Sequence, residues 1–195
     1  MTRRDLGPRP LTYPMPVLLV GVYDAEGRPN LMAAAWGGIC NSTPPCVSVS
    51  IRPSRWTHDP LLQRKAFTLG IPSTALAAQA DFTGITCGRS VDKFAATGLT
   101  PCRSEHVDAP YAAECPIVLE CRLLQHVELP SHTLMIGEIC NVSALESCMD
   151  GDQPDIFKVD PLVYDAASRH YYRLGGDVCP AYTAGMIYKQ QEQKG

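Results

Sequence analysis

A closed antiparallel β-barrel, mainly β with α-helical insertions, is the fold class that three features of the chain predict. Short runs rich in β-branched and apolar residues follow one another through tight turns, beginning with "VLLVGVY" at 17–23. The stretch "CVSVSIR" at 46–52 alternates strictly, with Val47, Val49 and Ile51 on one face and Cys46, Ser48, Ser50 and Arg52 on the other. Helical signals are few and gather mid-chain, whereas a doubly wound parallel sheet needs helices alternating with strands throughout. With 195 residues and 45% hydrophobic content, the chain is read as a single domain over 1–195.

The elements follow in order. The opening "MTRRDLGPRP" loosely resembles a twin-arginine export signal, but Pro8, Pro10, Pro14 and Pro16 interrupt the region that would have to be an apolar helix. It is read as a solvated arm leading into the first strand. "DAEG" at 24–27 is a turn in which Gly27 can take positive φ, and "PNLMAAAW" returns as the second arm of a hairpin. "THDPLLQRKAF" predicts a short helix with Thr57 or Ser54 as its N-cap, followed by the strand "AFTLGI". "PSTALAAQADF" predicts a helix opened by Ser73. "SVDKFAATG" predicts another, starting near Ser90, with Gly98 at its C-cap. "CPIVLECRLLQHVEL" and "HTLMIGEICNVSALE" form two long antiparallel strands joined by "PSH", and the tail segments "DPLVYD" and "HYYRLGG" are loop-like and rich in tyrosine.

Composition narrows the partners. The net charge is -3 with no basic block, which excludes a nucleic-acid backbone as partner. The apolar run "VLLVGV" is far short of the roughly 20 residues of a membrane span. Nine cysteines, an odd number without any C-x-x-C pair, support neither a zinc ribbon nor a thioredoxin-like motif. Most are read as reduced, small, buried hydrophobes in a cytoplasmic protein.

Several residues carry candidate chemistry. Ser50, Arg52 and Thr57, with Ser48 and Arg55 nearby, combine short hydroxyl donors with guanidinium forks, as a phosphate monoester requires. An outward face whose serines meet only water explains the same pattern equally well. Lys93, near a helix start, adds charge where main-chain N–H groups attract anions, although by itself it reads as a solvated lysine paired with Asp92. His132 can offer a proton or a hydrogen bond, but its position also suits an ordinary hairpin-loop histidine. Cys40 has no base that the sequence can name and reads as a packed thiol. Tyr164, Tyr171 and Tyr172 suit cover for a planar ligand or a subunit contact, with ordinary packing the default. There is no G-x-G-x-x-G, no Walker motif, no G-x-S-x-G and no metal-ligand spacing among the histidines.

Taken together, "PVLLVGVYDAEGRPNLMAAAWGGICNSTPPCVSVSIR", "KAFTLGIPS", "GRSVDKFAATGLTP", "DAPY…CPIVLECRL" and "HTLMIGEI" resemble, in order and from about Leu11 to Tyr188, the flavin-reductase-like domain family, the FMN-binding split barrels. Within that family the flavoredoxins are the most similar. The resemblance implies a homodimeric split β-barrel with one FMN per subunit near the interface. It implies that Ala34, Ala35 and Trp36 and the loop Asn41, Ser42, Thr43 run along the flavin ring and ribityl chain. It further implies that Ser50, Ile51, Arg52 and Thr57, with Lys93, hold the phosphate end, and that His132 lies beside the redox face of the ring. Two departures stand out: Asn41 where flavoredoxin-like chains often carry a second cysteine, and Gly70 where they often carry asparagine, expected near the barrel rim.

On this reading the small residues at 33–35 let main-chain N–H groups approach a flat electron-accepting ring, while Trp36 offers apolar cover. The expected activity is an FMN-dependent oxidoreductase, with NADH or NADPH as electron donor implied by the family alone. Two alternatives stay open: an FMN electron carrier without nicotinamide activity, and a non-redox barrel holding another planar anion such as haem or a pyridoxal-type phosphate.

Overall fold

The computed structural model describes residues 1–186 and 188, so the last stretch of the expected 1–195 domain lies outside the described residues. In chain order the first strands are β1 (Met15–Pro16), β2 (Leu18–Tyr23), β3 (Pro29–Ala34), β4 (Gly37–Ser42), β5 (Pro45–Ile51) and β6 (Ala66–Ile71). Then come β7 (Pro101–Arg103), β8 (Pro110–Ala112), β9 (Ile117–Glu128), β10 (Thr133–Ala144), β11 (Met149–Asp150), β12 (Gln153–Pro154), β13 (Val163–Asp165) and β14 (His170–Tyr172). The helices are α1 (His58–Arg64), α2 (Ala77–Ile85), α3 (Lys93–Thr97) and α4 (Ile156–Val159).

The fold is mainly β and antiparallel. Seven strands form one sheet in the order β3-β2-β6-β9-β10-β5-β4. The alternation in β5 orients that sheet: Val47, Val49 and Ile51 are buried, while Ser48 and Ser50 are half-exposed. One core cluster joins Leu18, Val20 and Val22 of β2 to Val47, Val49 and Ile51 of β5, although β6, β9 and β10 lie between them in the sheet. Only a sheet curled over on itself brings these side chains together.

The expected closed barrel is not formed. The edge strands β3 and β4 share no ladder, and a seam stays open between them. The physical reason is that the chain crosses the seam at Ala35 and Trp36 and each edge strand is committed elsewhere, β3 to its ladder with β2 and β4 to its ladder with β5. Trp36 O accepts from Ser50 N (2.8 Å), which pins the crossing to β5. Gly37 permits it, because a Cβ there would lie 2.7 Å from Ser48 O and 2.8 Å from Leu18 Cδ1.

Other elements differ from the sequence reading for local reasons. Strand β4 was not expected, since "GGICNS" has neither β-branched density nor clean alternation. The tail is not wholly loop-like: β13 and β14 join β1 in a three-stranded sheet, too short for periodicity to show. Thr57 makes no capping bond to α1, and Ser73 makes none to the 3₁₀ turn that precedes α2. The third helix starts at Lys93, capped by the Asp92 carboxylate accepting from Ala95 N (3.0 Å), and Gly98 closes it at φ 70° as expected. Gly70 is buried rather than at a rim. A Cβ there would meet Cys115 Sγ at 2.7 Å, so the thiol fills the space the side chain would take. Cys46, Cys115, Cys121 and Cys148 are buried, but Cys40, Cys87, Cys140 and Cys179 are exposed, so the expectation that most are buried fails.

Phe67 of β6 is wholly buried, and its ring occupies the space left by Gly137 of β10, where a Cβ would lie 2.5 Å from Phe67 Cζ. Replacing Phe67 by Ala should therefore cost about 3–5 kcal/mol, read as a lower urea midpoint at unchanged m-value. A loss under about 1 kcal/mol would mean that the curled sheet does not depend on this ring.

Candidate functional site

Two adjoining cavities lie along the seam. The first, of about 340 Å³, is bounded by the end of β3, the crossing at Ala35 and Trp36, the end of β5 and His132. Because β3 is a sheet edge, half of its main-chain N–H and C=O groups have no ladder partner. Ala33, Ala34 and Ala35 add no more than a methyl group each, so this wall is bare backbone. His132 sits in the turn between β9 and β10, held by Leu129 N donating to His132 O (2.8 Å). Its ring packs on Trp36 with centroids 4.6 Å apart and planes inclined at 31°, and Ser131 Oγ lies 2.9 Å from its Nδ1. Burial, and then the positive charge of Arg52, push the His132 pKa below its ordinary value. The imidazole is therefore neutral at pH 7, a hydrogen-bonding group rather than a cation.

The second cavity, of about 390 Å³, shares Met32, Arg52 and Arg55 with the first. It brings Arg52, Arg55 and Lys93 together with the hydroxyls of Ser54, Thr57 and Thr86. Among the described residues no carboxylate lines either cavity. Lys93, at the start of α3, is 3% exposed and donates from Nζ to Leu31 O (2.8 Å) and Thr83 O (2.7 Å). Burial lowers its pKa to about 8; Cys87 opposes the shift and Arg55 adds to it. Thr57 is buried, and its Oγ1 accepts from Asn30 Nδ2 (3.2 Å), which leaves its own proton free to donate. Arg55 is steadied by a bond to Gly84 O (3.3 Å).

Most of the residues singled out in the sequence meet here. Ala34, Ala35, Trp36, Ser50, Ile51, Arg52 and His132 line the first cavity, although the Ile51 side chain itself is buried in the core. Arg52, Thr57 and Lys93 line the second. Lys93 is not the solvated partner of Asp92 that its sequence context predicts, since Asp92 spends its carboxylate on the helix cap. Asn41, Ser42 and Thr43 are not brought to either cavity. They stand exposed at the far end of β4, roughly 20 Å along the strand from Trp36. There Asn41 Nδ2 donates to Pro44 O (2.8 Å). Arg55, noted in the sequence only as a neighbour of Arg52, lines both cavities, and sequence reasoning left out Trp56, Thr86 and Cys87 on the second. Of the tail tyrosines, Tyr164 reaches the first cavity, whereas Tyr171 bonds Asp81 (2.9 Å) and Tyr172 is exposed.

The arrangement suits a ligand with a planar body and an anionic tail. Comparison with known proteins agrees: the family model for the flavin reductase like domain matches residues 11–175. The chain belongs to the flavin reductase-like family. Its structure superposes on a flavoredoxin of Desulfovibrio vulgaris (Miyazaki F) with a TM-score of 0.90 and 48% identity, over 94% of this chain and all of that one. A flavoredoxin from Methanosarcina acetivorans gives 0.90 at 28% identity, over 96% of this chain and all of that one. An FMN-binding protein from Thermus thermophilus, with bound 1-cyclohex-2-enone, gives 0.78 at 26% identity, over 92% and 99%.

The buried lysine makes a prediction for this flavin reductase-like chain. Its folded pKa lies below that of an unfolded lysine, so between pH 8 and 10.5 the folded state binds fewer protons than the unfolded state. The stability of the wild type relative to Lys93→Met should then rise across that window and stay level below it. Urea midpoints measured across the window check this, and parallel curves for the two proteins would place Nζ in water.

Proposed function

We propose that the two cavities together hold FMN and that the protein moves electrons through it as a flavin-dependent oxidoreductase. The observation that carries this reading is the continuity of a bare strand edge with a cluster of cations that no carboxylate among the described residues offsets. Bound FMN supplies an electron-accepting ring that no side chain can replace. Arg52, Arg55 and Lys93 neutralise the phosphate, and Thr57 and Ser54 donate to its oxygens. The main chain at 33–36 would flank the ring, and its N–H groups would donate hydrogen bonds that stabilise negative charge on it. His132, neutral and steadied by Trp36 and Ser131, offers a hydrogen bond at the same face. Tyr164 closes that cavity from the tail.

The open, curled sheet is in keeping with a split β-barrel, and the exposed tip at Asn41–Thr43 with a homodimer in which that loop meets a second subunit. Among the described residues no helix is long and apolar enough to cross a membrane. Nine free thiols accord with a reducing cytoplasm. A haem or pyridoxal phosphate site fits less well: among the described residues His132 is the sole histidine on the cavities, and the Lys93 ammonium is already held by two carbonyls.

NADH or NADPH delivers the electrons in this reading, with a protein redox partner as the other source. The similarity to two flavoredoxins keeps a carrier without nicotinamide activity as the second reading. The purified protein should be yellow, or become so with FMN, and a colourless preparation that ignores added FMN would overturn the proposal. Stopped-flow mixing with NADH or NADPH should bleach the flavin band rapidly. If neither does so, the carrier reading replaces the reductase one. Arg52→Ala removes a charge-assisted contact and should weaken FMN binding roughly tenfold or more. An unchanged Kd would move the phosphate away from Arg52.

A further inference from the structure

Two buried side chains that the flavin reading leaves unused sit just behind the cavities. His58, the first residue of α1, is 8% exposed, and Thr133, the first residue of β10, is 3% exposed. Neither lines the two cavities. His58 Nδ1 lies 2.7 Å from Asp59 Oδ1, and His58 Nε2 lies 2.9 Å from Thr133 Oγ1. An ionised carboxylate only accepts, so Nδ1 carries the ring proton, and in the neutral ring Nε2 accepts from the Thr133 hydroxyl. Both ring nitrogens are committed, which leaves the imidazole one orientation.

The same threonine meets this part of the chain at a second point. In the ladder between β5 and β10, Thr133 stands opposite Ile51, the last residue of β5. The chain leaves the sheet at Ile51 and makes two successive turns, Arg55 N donating to Arg52 O (2.9 Å) and His58 N to Arg55 O (3.0 Å). It then returns to Thr133 through the His58 ring. Residues 52–57 therefore form a loop closed at both ends on one residue. Arg52, Ser54, Arg55 and Thr57 of the cationic cavity all lie in that loop. Thr57 and Arg55 also bond Asn30 and Gly84, which hold the loop toward β3 and α2, whereas the His58 ring ties it to β10. His132 of the first cavity is the residue immediately before Thr133. One bond between buried side chains thus spans the interval from the cationic loop to the histidine of the other cavity.

We propose that His58 is a positioning residue, which holds the loop 52–57 and His132 in a fixed relation so that the two ends of the groove keep the spacing of a single ligand. Its bearing on FMN rests on the flavin reading above; the placing of His132 does not.

Isosteres separate the two ring bonds. In His58→Asn the amide takes the place of Nδ1 and keeps Asp59, but Thr133 loses its partner. In His58→Gln the amide takes the place of Nε2 and keeps Thr133. Thr133→Val removes the hydroxyl at nearly constant volume. Burial and Arg52 hold the His132 pKa below its ordinary value. In the flavin-free full chain, its NMR titration midpoint should move toward the ordinary histidine value in His58→Asn and Thr133→Val and stay in place in His58→Gln. The Kd for FMN, read by flavin fluorescence, should rise about fivefold in the first two variants and stay near wild type in the third. Combining His58→Asn with Thr133→Val should weaken binding no further than either alone, because both remove the same bond. An unmoved His132 midpoint in His58→Asn and Thr133→Val overturns the proposal even if both proteins unfold at lower urea, since His58 would then serve packing only. So does a His58→Gln variant that behaves as His58→Asn does, or a change in FMN binding without a change at His132. If the wild type binds no flavin, the flavin reading falls and the His132 titration alone decides whether His58 positions it.

Discussion

Lys93 holds a positive charge almost wholly out of water, compensated by two main-chain carbonyls and, among the described residues, by no carboxylate. Burying an ammonium in this way costs free energy unless its donors are taken up. Leu31 on β3 and Thr83 on α2 take two of the three, so one side chain ties the edge strand, the second helix and the third helix to a common point. The third donor direction and the residual field belong to the cavity. The element that closes the cationic end is thus also the element that makes it cationic, and packing and ligand preference cannot be altered separately there.

The open seam is the second determinant. A fully laddered barrel would satisfy the outer edge of β3 with another strand and leave nothing for a ligand to bind. Here the chain crosses at Ala35 and Trp36, and the space beyond the edge becomes the first cavity. The small residues at 33–35 keep that edge reachable, and Gly37 lets the crossing lie close to Leu18. Trp36 serves the site through His132, whose ring it supports, as much as through apolar cover of its own. Sheet topology, rather than any catalytic motif, therefore sets where a flat molecule can rest.

Much of this was legible in the sequence wherever one periodicity governs several residues. The alternation of β5 announced its buried and polar faces, and the two long strands β9 and β10 with their short turn were plain. What escaped reading depends on partners distant in sequence. Nothing near Lys93 shows that its ammonium would turn away from Asp92 toward Leu31, 62 positions back. Gly70 gave no sign that Cys115 would occupy its place. Strand β4 was missed because it is held by β5 and not by its own propensity. Asn41, Ser42 and Thr43 followed from family likeness, and a strand running away from the seam carries them out of reach of the cavities in one chain.

The thiols carry a practical corollary. Burial pushes the Cys115 thiol up to about 12 and raises the Cys121 thiol further, so neither forms thiolate at neutral pH. Electrophiles and mercurials would then decorate the periphery while sparing the interior. Peroxide generated by a reduced flavin in air would meet the same division, scarring Cys40, Cys140 and Cys179 long before it reached the sulfur packed against Gly70.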